Sequence, residues 1–123
     1  MASVPLNGSE REALAGARAL HAADPHERLE VSVFLRPRGQ AQLQARLGTL
    51  HAARRGVPRP RALSREAFAQ RHGASPADIR AVRRFASAHG LTVVAASAAR
   101  RTLMLSGTVA QFNAAFGVEL QYF

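Results

Sequence analysis

Eight serines, five histidines and two aspartates are the side chains here that would serve hydrolysis. A nucleophilic hydrolase needs a nucleophile, a base in reach and an oxyanion site. None of Ser3, Ser9, Ser32, Ser64, Ser75, Ser87, Ser97 and Ser106 sits in a G-x-S-x-G elbow. Ser64 and Ser75 stand where helices begin, as caps, and Ser106-Gly107-Thr108 reads as a strand end turning into a helix cap. His21, His26, His51, His72 and His89 form no H-E-x-x-H pattern and no i, i+4 pair. His72 and His89 each precede a glycine that ends a helix, a position where an imidazole serves the terminal carbonyls and the helix dipole. Asp78 falls in a first helical turn, where negative charge belongs. The chain has no cysteine, so neither a disulfide nor a thiolate metal site is available, and no lysine, so no phosphate-binding G-x-x-x-x-G-K loop exists. The residues assign no catalytic, metal or cofactor site.

Charge supplies the next constraint. A net charge of +9 asks for an acidic partner: nucleic acid, an anionic membrane or an acidic protein. All 17 basic residues are arginines and alanine is abundant, a pattern that GC-rich coding explains without any nucleic-acid function. The arginines are scattered, with pairs at Arg54-Arg55, Arg83-Arg84 and Arg100-Arg101, as solvated helix faces and turns would place them. No apolar run approaches the roughly 20 residues of a membrane span, and the first 23 residues lack the apolar stretch of a secretory signal.

At 123 residues the chain fits one domain with a core that needs no covalent staple. Residues 1–26 read as an extended or partly helical arm, and residues 27–123 as the folded domain. Leu29 to Arg36 alternates Val31, Val33 and Leu35 against polar neighbours and Phe34, the period of a strand with one core face. Gln40 to Arg54 spaces Leu43, Leu47 and Leu50 as an amphipathic helix. The loop RRGVPRPRA follows, then two capped helices, Arg65–His72 and one from Pro76 to Gly90 carrying Ile79, Val82, Phe85 and Ala86 on one face. Strands LTVVAAS and RTLMLSG form a hairpin, Thr108 caps a helix with Val109, Phe112 and Phe116, and Val118–Phe123 alternates as a last strand. The order predicts an α+β, ferredoxin-like split βαβ sandwich (β-α-β-β-α-β): four antiparallel strands, helices on one face, with extra helices between strand 1 and the main helix.

If Val31, Val33, Leu35, Leu91, Val93, Leu103 and Leu105 face the helices, then Phe34, Val94, Ala96, Met104 and Phe123 face outward, too apolar a set for a face meant only for water. Two other arrangements fit the same letters: a one-residue register shift at a bulge, or an N-terminal arm lying over the face. The topology and basicity also suit an RRM-like nucleic-acid-binding module, the alternative reading. That module stacks bases on aromatics of its central strands; RTLMLSG has none and the first strand offers only Phe34.

The ordered pieces LSREAFAQRHG, HGLTV and LSGTVAQFNAAFG, with the upstream NGSER and DPHERLEVSVFLRPR, resemble the pro-kumamolisin activation domain of sedolisin peptidases over nearly the whole chain. The resemblance implies a propeptide that packs its sheet on a downstream catalytic domain, assists its folding and blocks its active site until acid-triggered autoprocessing. The family's catalytic Ser, Glu and Asp belong to that downstream domain and map onto no residue here. The partner is then the catalytic domain of the chain's own peptidase, not nucleic acid or membrane, and the domain is expected to be extracellular within a secreted zymogen and monomeric when isolated. Ending at Tyr122-Phe123 with no linker or cleavage region, the chain is read as either a pro-domain on its own or a fragment. The expected docking residues are Phe34, Val94, Ala96 and Met104 for burial, and Arg36, Arg100 and Arg101 for pairing with partner carboxylates.

Overall fold

The computed structural model describes residues 4–5, 7–8, 12–56 and 58–123. Ser3, Ser9, the Ser9–Arg11 part of the arm and Val57 lie outside the described residues. Strand β1 (Arg28–Phe34) alternates strictly, with Leu29, Val31 and Val33 half-buried and the residues between them exposed. It is followed by helices α1 (Gln40–Ala53), α2 (Arg65–His72) and α3 (Pro76–Ala88), then strands β2 (Thr92–Ser97) and β3 (Thr102–Thr108), and helix α4 (Val109–Phe116). The sheet is antiparallel with order β1-β3-β2, so the last strand in sequence is central. This is the expected α+β, ferredoxin-like arrangement, with α3 and α4 packed on one face.

Register builds the core. Val31 and Val93 both pair across to Leu105, and Leu105 is fully buried at the middle of that row. Ala86 of α3, Leu91 and Phe112 of α4 close over it, with Val82, Phe85 and Ala115 at the margin. Full burial of a leucine of this kind contributes roughly 1.5–3 kcal/mol. At Gly107, a Cβ would collide with the Leu91 side chain and come within 3.0 Å of Gln111 Oε1, so helix α4 can approach β3 this closely only over a glycine.

The expected caps are present. Ser64 Oγ accepts from the Ala67 amide at 3.1 Å, and Ser75 Oγ from the Asp78 amide at 3.0 Å. Thr108 and Gln111 form a reciprocal capping box at the start of α4, and Gln111 Nε2 also donates to the Gly90 carbonyl at 3.0 Å. The histidines depart from expectation. His72 places Nδ1 3.1 Å from the Arg38 carbonyl, and His89 packs on the Phe85 ring, so neither serves its helix's last carbonyls. Arg38 does so for α2: its guanidinium donates to the carbonyls of Gln70 (2.6 Å) and Gly73 (3.2 Å).

Two further expectations are corrected. Helix α1 has no buried residue, and Leu47 and Leu50 remain 44% and 42% exposed, because α1 does not lie on the sheet. The fourth strand is reduced to a single bridge, Ala22↔Gln121, outside the sheet. After Gly117 turns the chain at φ 64°, the Val118 amide donates to the Asn113 carbonyl and the Leu120 amide to Asn113 Oδ1. With those amides engaged by α4, the tail pairs instead with the arm, through Leu20, Ala23 and Tyr122 amides donating to carbonyls of Tyr122, Leu120 and His21.

The Tyr122 hydroxyl fastens this arm–tail ribbon by donating to the Glu27 carboxylate. That bond holds the phenol above its ordinary value of 10.0, opposed in part by the Asp24 backbone amide donating to the same oxygen. A raised value means that the bond's stabilisation is complete below the ordinary value and is lost as pH rises through the raised one. Because Tyr122 is the only tyrosine and there is no tryptophan, phenolate absorbance reports it alone. The native chain should ionise at higher pH than the urea-unfolded chain, and Glu27→Gln should remove most of the difference.

Candidate docking face

With α3 and α4 on one side, the other side of the sheet is set by the register of the three strands. Its rows run Glu30–Ser106–Thr92, Ser32–Met104–Ala95 and Phe34–Thr102–Ser97. Phe34 stands out 77% exposed at one corner, Met104 is half-buried at the centre, and a shallow depression of about 190 Å³ lies around Met104, Ser32, Ala95 and Thr102. The surface is therefore flat and small-featured: serine, threonine and alanine hydroxyls and methyls around one methionine.

Around Ala96, which is exposed and also lines the depression, the register departs from simple alternation. The ladder shifts between Val93 and Ala95, so Val94 is the extra residue of a bulge; Ala95 pairs with Met104, and Ala96 pairs with Leu103 of the helix-facing set. The open face thus takes Ala95, which simple alternation along TVVAAS assigns to the wrong side. Val94, at the bulge, is 48% exposed. The repeated small residues of that segment pack equally well in either register, so no side chain signals the slip.

The three arginines differ in what they already hold. Arg36 Nε lies 3.3 Å from Asp78 Oδ2 on α3, an exposed ion pair within the chain. Arg101, in the β2–β3 turn, has φ 57° and accepts the Leu35 amide on its carbonyl at 2.7 Å, while its guanidinium donates to the Leu35 carbonyl at 3.3 Å. Arg100 is exposed, its backbone amide donating to Ser97 Oγ, and its guanidinium has no partner among the described residues. Of the three, Arg100 alone offers an unengaged cation at the rim of the depression.

The chemistry-bearing side chains remain dispersed. The Ser64 and Ser75 hydroxyls are engaged as caps, and among the described residues no group of three or more His, Asp or Glu is placed to hold a metal. No described helix is long and apolar enough to cross a membrane.

Fold and face together define a small α+β domain with one sheet surface left available for packing. The family model for the pro-kumamolisin activation domain matches residues 15–123, and the chain is 45% identical over 100 residues, 79% of its length, to Kumamolisin of Bacillus sp. (strain MN-32). The chain belongs to the pro-kumamolisin activation-domain family, the propeptide class of sedolisin-type peptidases. It spans 17% of the length of that relative.

The left-handed backbone at Arg101 generates a test of its structural role. A non-glycine residue there carries about 1–2 kcal/mol of strain, which the bonds to Leu35 offset. Arg101→Gly should be more stable to urea than Arg101→Ala by about 1 kcal/mol, since both lose the guanidinium and only glycine relieves the backbone.

Proposed function

We propose that this chain is the propeptide of a secreted, acid-active sedolisin-type serine peptidase, acting as its intramolecular chaperone and inhibitor and leaving by acid autoprocessing. The observation that carries this reading is the activation-domain match over residues 15–123. The open sheet face supports it, being flat and largely unengaged, with Met104 at its centre and Phe34, Val94 and Arg100 at its margins. Residues 27–123 would form the docking body and residues 1–26 an arm, tied to the tail at Leu20 to Asp24. Phe34 is the one aromatic residue of the three strands, which favours protein packing over base stacking on this face.

The trigger follows from charge. A partner carboxylate held by Arg100 has a depressed pKa in the complex. Its contribution to docking is present above the free value of about 4 and is lost as pH falls through the lowered bound value. Arginine stays protonated throughout and is not the sensor. Arg36 contributes only by exchanging its internal partner Asp78 for one on the catalytic domain, and Arg101 acts by holding the turn.

The purified chain should inhibit its cognate peptidase tightly at about pH 6 and weakly at about pH 3.5, values on either side of the ~4 of a free carboxylate. Equal inhibition at both would refute the carboxylate trigger, and none at either would refute the docking role. Met104→Glu should leave the urea midpoint of the domain nearly unchanged and weaken inhibition at least about tenfold, because docking would bury a charge against apolar surface. Undiminished inhibition would place the contact on another face.

A further inference from the structure

Residues 40–72, which hold α1, α2 and the loop between them, carry seven arginines against one acid, Glu66. Six of the chain's nine net positive charges therefore sit on an excursion that does not pack on the sheet. Between α1 and α2 opens a cleft of about 370 Å³, lined by Gln42, Arg46, Leu63, Arg71 and His72, with no carboxylate in its wall.

The donors of this cleft are held in different ways. Arg46 is oriented by its guanidinium donating to the Arg61 carbonyl. The Arg71 guanidinium has neither an ion pair nor a hydrogen bond among the described residues. His72 is 3% exposed, and its Nδ1 faces the Arg38 carbonyl, which can only accept, so Nδ1 carries a proton. The other nitrogen, Nε2, has no partner among the described residues, yet it is not among atoms sealed from solvent. A nearly buried imidazole thus keeps one polar atom open where its residue lines the cleft. A wall with two guanidinium groups and no acid, in the most basic part of the chain, attracts negative charge, and planar guanidinium forks match oxyanion geometry.

We propose that this cleft is an oxyanion site, taking a phosphate or carboxylate group between Arg46, Arg71 and His72. The two sources differ at Nε2. With Nδ1 protonated, neutral His72 accepts there, which the remaining O–H of hydrogen phosphate satisfies and a carboxylate does not. A second proton on the ring makes Nε2 a donor that suits either. The site is separate from the sheet face and stands whether or not the domain docks on a peptidase.

The test is nitrogen-detected NMR of the chain titrated with inorganic phosphate, and separately with acetate, at neutral pH and constant ionic strength set by sodium chloride. Phosphate should give saturable shifts at the His72 ring and the Arg71 side chain, with acetate much weaker. Arg71→Ala, an exposed site whose loss leaves the fold intact, should weaken phosphate binding about tenfold, as loss of a charged hydrogen bond does. Arg100→Ala should leave it unchanged. Equal saturation by acetate would still establish an oxyanion site, one that does not use the Nε2 acceptor. Shifts that fail to saturate, that spread evenly over all arginines, or that survive Arg71→Ala would overturn the proposal.

Discussion

Everything in this domain is referred to the central strand β3, and within it to the row Val31–Leu105–Val93. Leu105 can be fully buried only if strands flank it on both sides and helices cover it from one, so the row fixes which faces of α3 and α4 turn inward. Two residues further on, Gly107 lets α4 come close, and Thr108 ends the strand and caps the helix in one step. The amides left at the start of α4 are then satisfied from outside it: Val109 donates to the Glu27 carbonyl and Ala110 to the Pro25 carbonyl. The lead-in to β1 is thereby tied to the last helix, and the arm–tail ribbon follows from that tie.

Among the described residues, the helices that pack on this sheet leave its other face uncovered. A three-stranded sheet covered by helices on one side leaves the other to solvent or a partner, and here that other side is built of small side chains around Met104. Such a surface contributes little by itself and much when a complementary surface excludes water from it. Charge is distributed separately. The sheet side presents Arg100 at its rim, whereas the α1–α2 excursion holds most of the net charge and its own cleft. The domain therefore has a flat, small-featured surface and a basic, indented one, with Arg38 between them closing the end of α2.

Local signals carried the elements. Ser64, Ser75 with Pro76, and Thr108 with Gln111 each combine a cap with the helix it starts, and the alternation of Val31 and Val33 or Leu103 and Leu105 has a single reading because a one-residue slip would expose every apolar side chain. Those residues determined by themselves where strands and helices lie, the ferredoxin-like order and the family to which the chain belongs. Three features were decided only by tertiary structure. The bulge at Val94 exchanges Ala95 for Ala96 on the open face, since neighbouring alanines carry no preference between faces. The leucines of α1 have a helical spacing that promises burial, but spacing cannot say whether another element arrives to bury them. The tail alternates like a strand, yet its amides are engaged by Asn113, and its hydroxyl at Tyr122 finds Glu27 across 95 residues. Short-range preferences act through bonds and a few neighbours, and are written locally in the residue types. Bulges, uncovered helix faces and cross-chain clamps depend on which distant surfaces meet, and that is settled only when the whole core closes.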